Sequence, residues 1–127
     1  MRYVFIVLLR ATPAWLRLTR ERRRALSAEH LAPLLAGQVA LKMRYFDAEA
    51  FTSTCSDVMM VETADPRQYY FFMEHLRDSP LISEPYFEIV QILPTIEEGF
   101  MDFEQAQSSL AARADRRASA SGGVTGS

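Results

Sequence analysis

Apolar and polar positions run along this chain first as a solid block, then at helical spacing, then in alternation, and each change of period marks an element. Residues 2–9 (Arg-Tyr-Val-Phe-Ile-Val-Leu-Leu) are, after Arg2, an unbroken run of β-branched, aromatic and aliphatic side chains. That is the pattern of a strand covered on both faces. Thr12-Pro13 places a cap before a proline at the first helical position, which predicts one short turn over Pro13 to Arg17. A longer helix starts at Thr19 and is expected to stop at Gly37 in a left-handed conformation. Leu26, Leu31, Leu34 and Leu35 would face a sheet, and Pro33 predicts a kink or an early end near Ala32.

From Gln38 to Phe46 the period becomes two: Val39, Leu41, Met43 and Tyr45 fall on one side, Ala40, Lys42, Arg44 and Phe46 on the other. The polar, small residues from Asp47 to Ser56 read as a hairpin connection to a second strand, Asp57 to Thr63, its antiparallel neighbour. Asp65-Pro66 starts another helix and Asp78-Ser79-Pro80 stops it, with Tyr69, Phe72, Met73 and Leu76 at the spacing that buries one face. Tyr86 to Leu93 is a last strand ended by Pro94. Thr95 and Glu98 match a capping box for a third helix from Ile96 to about Leu110.

Strand, helix, two strands, helix and strand in this order predict an α+β, ferredoxin-like βαββαβ domain over residues 1–110, an antiparallel sheet with its helices on one face. Residues 111–127 hold Ala, Arg, Ser and Gly with no large apolar residue except Val124. They read as a disordered tail, unable to bury enough surface to offset the entropy of ordering. The strands are apolar on both sides, so the face away from the helices would expose a larger patch than monomers usually show. A symmetric homodimer packing two such faces together is the expected answer.

Composition narrows the function classes. The chain has 127 residues, 49% hydrophobic, 24% charged, with a net charge of -2, which suits one globular domain and offers no field for gathering nucleic acid. The basic run Arg17, Arg20, Arg22, Arg23 and Arg24 reads as a solvated helix face. One cysteine, Cys55, permits no intramolecular disulfide and suits a reducing compartment. The apolar start is too short to span a membrane and lacks a small-residue cleavage site, so a cytoplasmic location with no membrane or nucleic-acid partner is expected.

The chain also resembles a known family. The strings Leu8-Leu9-Arg10-Ala11-Thr12-Pro13-Ala14-Trp15-Leu16, Tyr45-Phe46-Asp47-Ala48-Glu49-Ala50-Phe51, Cys55-Ser56-Asp57-Val58, Glu62-Thr63-Ala64-Asp65 and Glu84-Pro85-Tyr86-Phe87-Glu88 are similar to the darcynin family over about residues 2–105. The resemblance implies the dimeric α+β barrel, a fold shared by small monooxygenases of antibiotic biosynthesis, polyketide cyclases and haem-degrading enzymes. It carries over no reaction and no catalytic residue.

Candidate chemistry comes from the polar side of the strands. Lys42 and Arg44 would project away from the helices, where Asp57, Glu62, Glu88 or Gln91 could pair with them or share a bound acid. Arg44 would then be an anion hook, because its planar fork suits a carboxylate. A structural salt bridge at a dimer interface explains the same residues. Trp15 could close a pocket mouth, and His30 could line a pocket or satisfy a polar contact in the core. His75, near a helix end, reads as a capping or surface residue. Neither histidine has a second ligand at metal spacing, and Cys55 has no base placed beside it. The expectation is therefore no metal and no cofactor, with a candidate ligand set of Arg44, Lys42, Glu62, Trp15 and His30. The first functional reading is a homodimer binding a small, partly aromatic or acidic molecule between sheet and helices. Its rivals are a cofactor-independent monooxygenase or cyclase, and a purely structural module.

Overall fold

The computed structural model describes residues 1–37 and 40–125. Elements follow in the order β1 (Tyr3–Ala11), α1 (Pro13–Leu16), α2 (Arg20–His30), α3 (Ala32–Ala36), β2 (Leu41–Asp47), β3 (Asp57–Thr63), α4 (Pro66–Asp78), α5 (Pro80–Ser83), β4 (Phe87–Ile96) and α6 (Gly99–Thr125). The four strands form one sheet in the order β2-β3-β1-β4, and every neighbouring pair is antiparallel. With α1 to α5 this is the ferredoxin-like α+β plan. Residues 2–96 make one unit, and Met1 with the chain from Glu97 onward makes a second.

Alternation sorts the sheet's side chains. Leu41, Met43 and Tyr45 lie opposite Thr63, Val61 and Met59, and these oppose Tyr3, Phe5 and Val7 of β1. That parity holds the core: Val7, Leu9, Leu41, Met59, Val61 and Phe87 pack against Leu26 of α2, Phe72, Met73 and Leu76 of α4, and Leu81 of α5. The opposite parity puts Val4, Ile6 and Leu8 beside Met60, Val58, Leu93 and Phe46 on the other face, and none of these belongs to the core cluster.

Capping explains where the helices begin. The hydroxyls of Thr12 and Thr19 accept from the amides of Trp15 and Arg22, and the Asp65 carboxylate accepts from the Arg67 amide at 3.0 Å, each filling an orphan donor of a first turn. The first long helix divides at Leu31, leaving Pro33 near the start of α3, where its missing N–H removes no bond.

Four details depart from expectation. Gly37 sits at φ -83°, so the helix ends without a left-handed residue. β4 runs through Pro94 to Ile96; it is an edge strand, where a missing N–H removes no ladder bond to a second neighbour. Because Thr95 is thereby in the sheet, its hydroxyl donates to the Val4 carbonyl at 2.6 Å, and no capping box forms. Instead Glu98, at φ 51°, turns the chain into α6. That helix continues through Thr125, where a helix to about Leu110 and an unstructured tail were expected. Low apolar content bears on packing alone, whereas alanine and arginine favour helix intrinsically. Of the strand expected over 38–46, residues Gln38 and Val39 lie outside the described residues, and β2 starts at Leu41.

Candidate functional site

Between the helix-side face of the sheet and the helices lies a cavity of about 360 Å³. Its apolar wall comes from alternating strand positions, Leu9, Met43, Met59 and Phe87, closed from the helix layer by Leu31, Leu76 and Leu81. Trp15 covers it from α1, its ring 4.7 Å from that of Phe87 and 5.8 Å from that of Tyr86.

Trp15 is held by polar contacts on either side. The Thr12 hydroxyl donates to the Pro85 carbonyl at 2.8 Å and accepts from the Trp15 amide at 3.4 Å, and the Thr12 amide donates to the Tyr86 carbonyl. Arg23 donates from Nε to the Trp15 carbonyl at 3.2 Å and from Nη2 to that of Leu16 at 2.9 Å, with its guanidinium carbon 6.0 Å from the indole centre. One member of the basic run is thus a cap on the last carbonyls of α1, a favourable place for a cation, while the run as a whole was expected to be only solvated. Thr12→Val removes the hydroxyl and leaves its partners unpaired. It is expected to cost about 1–3 kcal/mol in urea denaturation and to shift Trp15 emission to the red as the indole loosens.

The polar end of the cavity is acidic. Asp57, 8% exposed, opens β3 on the core parity and lies directly opposite Asp47 of β2. Its carboxylate accepts from the Ser56 hydroxyl at 2.6 Å and from the Tyr45 hydroxyl; Ser56 Oγ in turn accepts from the Ala11 amide at 2.7 Å. Burial pushes the Asp57 carboxyl above its ordinary 3.8; the two hydroxyl donors oppose the shift, and the charges of Glu49 and Asp47 add to it. The Tyr45 phenol is also pushed up, first by burial and then by Asp57, so it stays a protonated donor. Carboxylate oxygens of Asp47, Glu49 and Asp57 come within 4.8 Å of one another. This is the group that could hold a cation among the described residues.

Because the folded state favours the protonated Asp57, its contribution to stability is full below pH 3.8 and lost as pH rises through the raised folded value. Asp57→Asn keeps an acceptor for both hydroxyls and cannot ionise. Its melting temperature is expected to match the parent's in acid, pull ahead through that window, and stay ahead at neutral pH. A constant gap at every pH would contradict this.

Of the residues singled out from sequence, Trp15 lines the cavity and the other four do not. Lys42 and Arg44 have the opposite strand parity to Met43 and Tyr45. Lys42 faces Glu62 across the β2–β3 ladder, Glu62 lies 3.8 Å from Arg2, and the Arg44 guanidinium carbon stands 5.1 Å from the Phe46 ring centre. His30 Nε2 is 3.8 Å from the Glu29 carboxylate. An anion hook is therefore not what lines this cavity: its charged lining residues are carboxylates. The signal for Asp57 lay in the alternation itself, since Asp57, Met59, Val61 and Thr63 share the buried parity of β3.

Comparisons place these features in a family. Residues 2–111 match the model of Darcynin, a domain of unknown function. A darcynin from Chromobacterium violaceum is 49% identical over 74 residues, 58% of this chain and 94% of that one. Darcynin 1 from Acinetobacter baumannii is 40% identical over 87 residues, 68% and 97% of the two chains. Among solved structures, chlorite dismutase from Candidatus Nitrospira defluvii in complex with imidazole superposes with a TM-score of 0.66 at 11% identity, covering 76% of this chain. A mutant of that protein gives 0.66 at 12%. This chain spans 40% of the length of those structures, and the likeness is one of fold. By its match over the whole of the sheet-and-helix unit and by the identity of its relatives, the chain belongs to the darcynin family.

Proposed function

We propose that this chain is a small-molecule-binding protein that works as a homodimer, the ligand lying between sheet and helices of each copy. The observation that carries the reading is the apolar cavity of about 360 Å³ under Trp15, with a few convergent polar groups at one end. Dimensions and lining of that kind are those of ligand sites. Trp15 is the ligand-contacting residue retained from the sequence. The carboxylate-lined end favours an aromatic or aliphatic molecule with a hydrogen-bond donor over an acidic one. For the homodimer, support comes from the apolar parity Val4, Ile6, Leu8, Met60 and Leu93, which a second copy would cover. Lys42, Arg44 and Glu62 on that same face then pair at the interface. A cytoplasmic setting completes the reading; it is supported by the lone cysteine, buried Cys55. No helix among the described residues is long and apolar enough to cross a membrane.

A metabolite library screened by thermal shift tests the proposal. A true ligand at a hundred times its dissociation constant adds roughly 2.7 kcal/mol, and its effect should fall when Trp15 is replaced by alanine. A stabiliser unaffected by Trp15→Ala binds elsewhere.

The cofactor-independent enzyme remains the second reading, favoured by Asp57. A carboxyl with a raised proton affinity beside a protonated tyrosine at the polar end of the cavity is a proton acceptor and a donor placed together. Turnover of a bound stabiliser, lost in Asp57→Asn, would select it.

A further inference from the structure

We infer that the cavity takes an organic cation: an ammonium head set against Asp57, on a compact aromatic or aliphatic body packed under Trp15. This rests on the cavity being a ligand site and adds the chemical class of the ligand.

Charge compensation at Asp57 calls for a cation. Carboxylates are rarely buried without a cationic partner, yet Asp57 is 8% exposed and receives only neutral donors, Ser56 and Tyr45. The ion pairs among the described residues join Arg2 to Glu62 and His30 to Glu29, and none of these four residues lines the cavity. Arg10, the nearest cation along β1, has the opposite parity to Leu9 and donates to the Thr54 carbonyl at 2.6 Å. Groups facing Asp57 compound the charge. From β2 come Tyr45 and Asp47, from the connection after it Glu49, and from α2 only the neutral Ser27, while α4 and α5 line the space with Leu76, Leu81 and Ile82. The site thus has three acceptors for one ammonium and a wall that is otherwise apolar. An ammonium supplies three donors and one compensating charge. A carboxylate ligand would meet like charge and no donor except Tyr45 and Ser27.

Trp15 is the only tryptophan in the sequence, so its fluorescence reports directly on the cavity. The full chain is titrated at neutral pH with 2-phenylethylamine, 2-phenylethanol and 3-phenylpropionate, which share a body and differ in head-group charge, and separately with magnesium chloride alone. The amine is expected to bind at least about tenfold more tightly than the propionate, with the alcohol between them. Asp57→Asn should weaken the amine by about tenfold and leave the alcohol unchanged. Asp47→Asn, at an exposed position, should weaken the amine less and serves if Asp57→Asn fails to fold. Amine affinity should also fall in acid as Asp57 takes up its proton. Equal or tighter binding of the propionate, or an amine affinity indifferent to both substitutions, overturns the inference while leaving a binding cavity. A response to magnesium that the amine does not compete away also overturns it, making the acidic end a metal site. Silence from all three organic probes overturns the cavity reading itself.

Discussion

Ile6→Glu is expected to convert the proposed homodimer to a monomer while leaving its fold intact. Ile6 lies in the middle of β1 with Met60 of β3 on one side and Leu93 of β4 on the other, at the centre of the sheet face that does not enter the core. In one copy the new carboxylate is solvated and costs little. In a two-fold dimer both copies bring a charge to the same dry patch, and an uncompensated buried charge costs about 3–5 kcal/mol. Dissociation should therefore rise by more than about a hundredfold, seen in sedimentation velocity as a slower species, with the far-ultraviolet dichroism unchanged. A parent already monomeric at micromolar concentration, or a variant that stays dimeric, would remove the sheet face from assembly.

Phe72→Ala is expected to be the most destabilising single truncation of the core. Phe72 is 0% exposed and projects from the middle of α4 into the cluster formed by Val7, Met59 and Val61. Removing a buried phenyl ring costs about 3–5 kcal/mol, the lost transfer energy plus the void left behind. Against a total stability of about 5–15 kcal/mol for a domain, this is a large share. The urea midpoint should drop accordingly, while Tyr70→Ala, two residues earlier on the exposed side, should stay within about 0.5 kcal/mol. Equal effects at the two positions would mean that α4 does not pack as described.

Strand alternation and helix caps made most of the fold legible. Leu41, Met43 and Tyr45 declare one face of β2, the Thr12-Pro13 and Asp65-Pro66 pairs start their helices, and the stripe Tyr69, Phe72, Met73, Leu76 meets the sheet. What failed to read were features decided by neighbours rather than by local pattern. Pro94 stays in a strand because β4 happens to be an edge, and that in turn takes Thr95 away from its capping box. Residues 111–125 are helical because helix propensity does not require a core.

The site divided in the same way. Trp15 is legible as an aromatic in the turn after β1, and alternation alone puts the charges of Lys42 and Arg44 on the sheet face away from this cavity. Asp57 stood on the buried parity all along. Its importance depends on Tyr45, Asp47 and Glu49 arriving around it, which only the β2–β3 register and the connection between those strands bring about.

The proposed ligand lies in the space between sheet and helices. Methionine methyl groups report on it directly, since Met43 and Met59 line the cavity while Met60 lies on the opposite sheet face and Met101 in α6. In a carbon-13 methyl spectrum titrated with 2-phenylethylamine, the signals of Met43 and Met59 should move together and saturate with one affinity, and those of Met60 and Met101 should stay in place. Movement confined to Met60 or Met101, or no movement at Met43 and Met59 at saturating probe, would contradict the account.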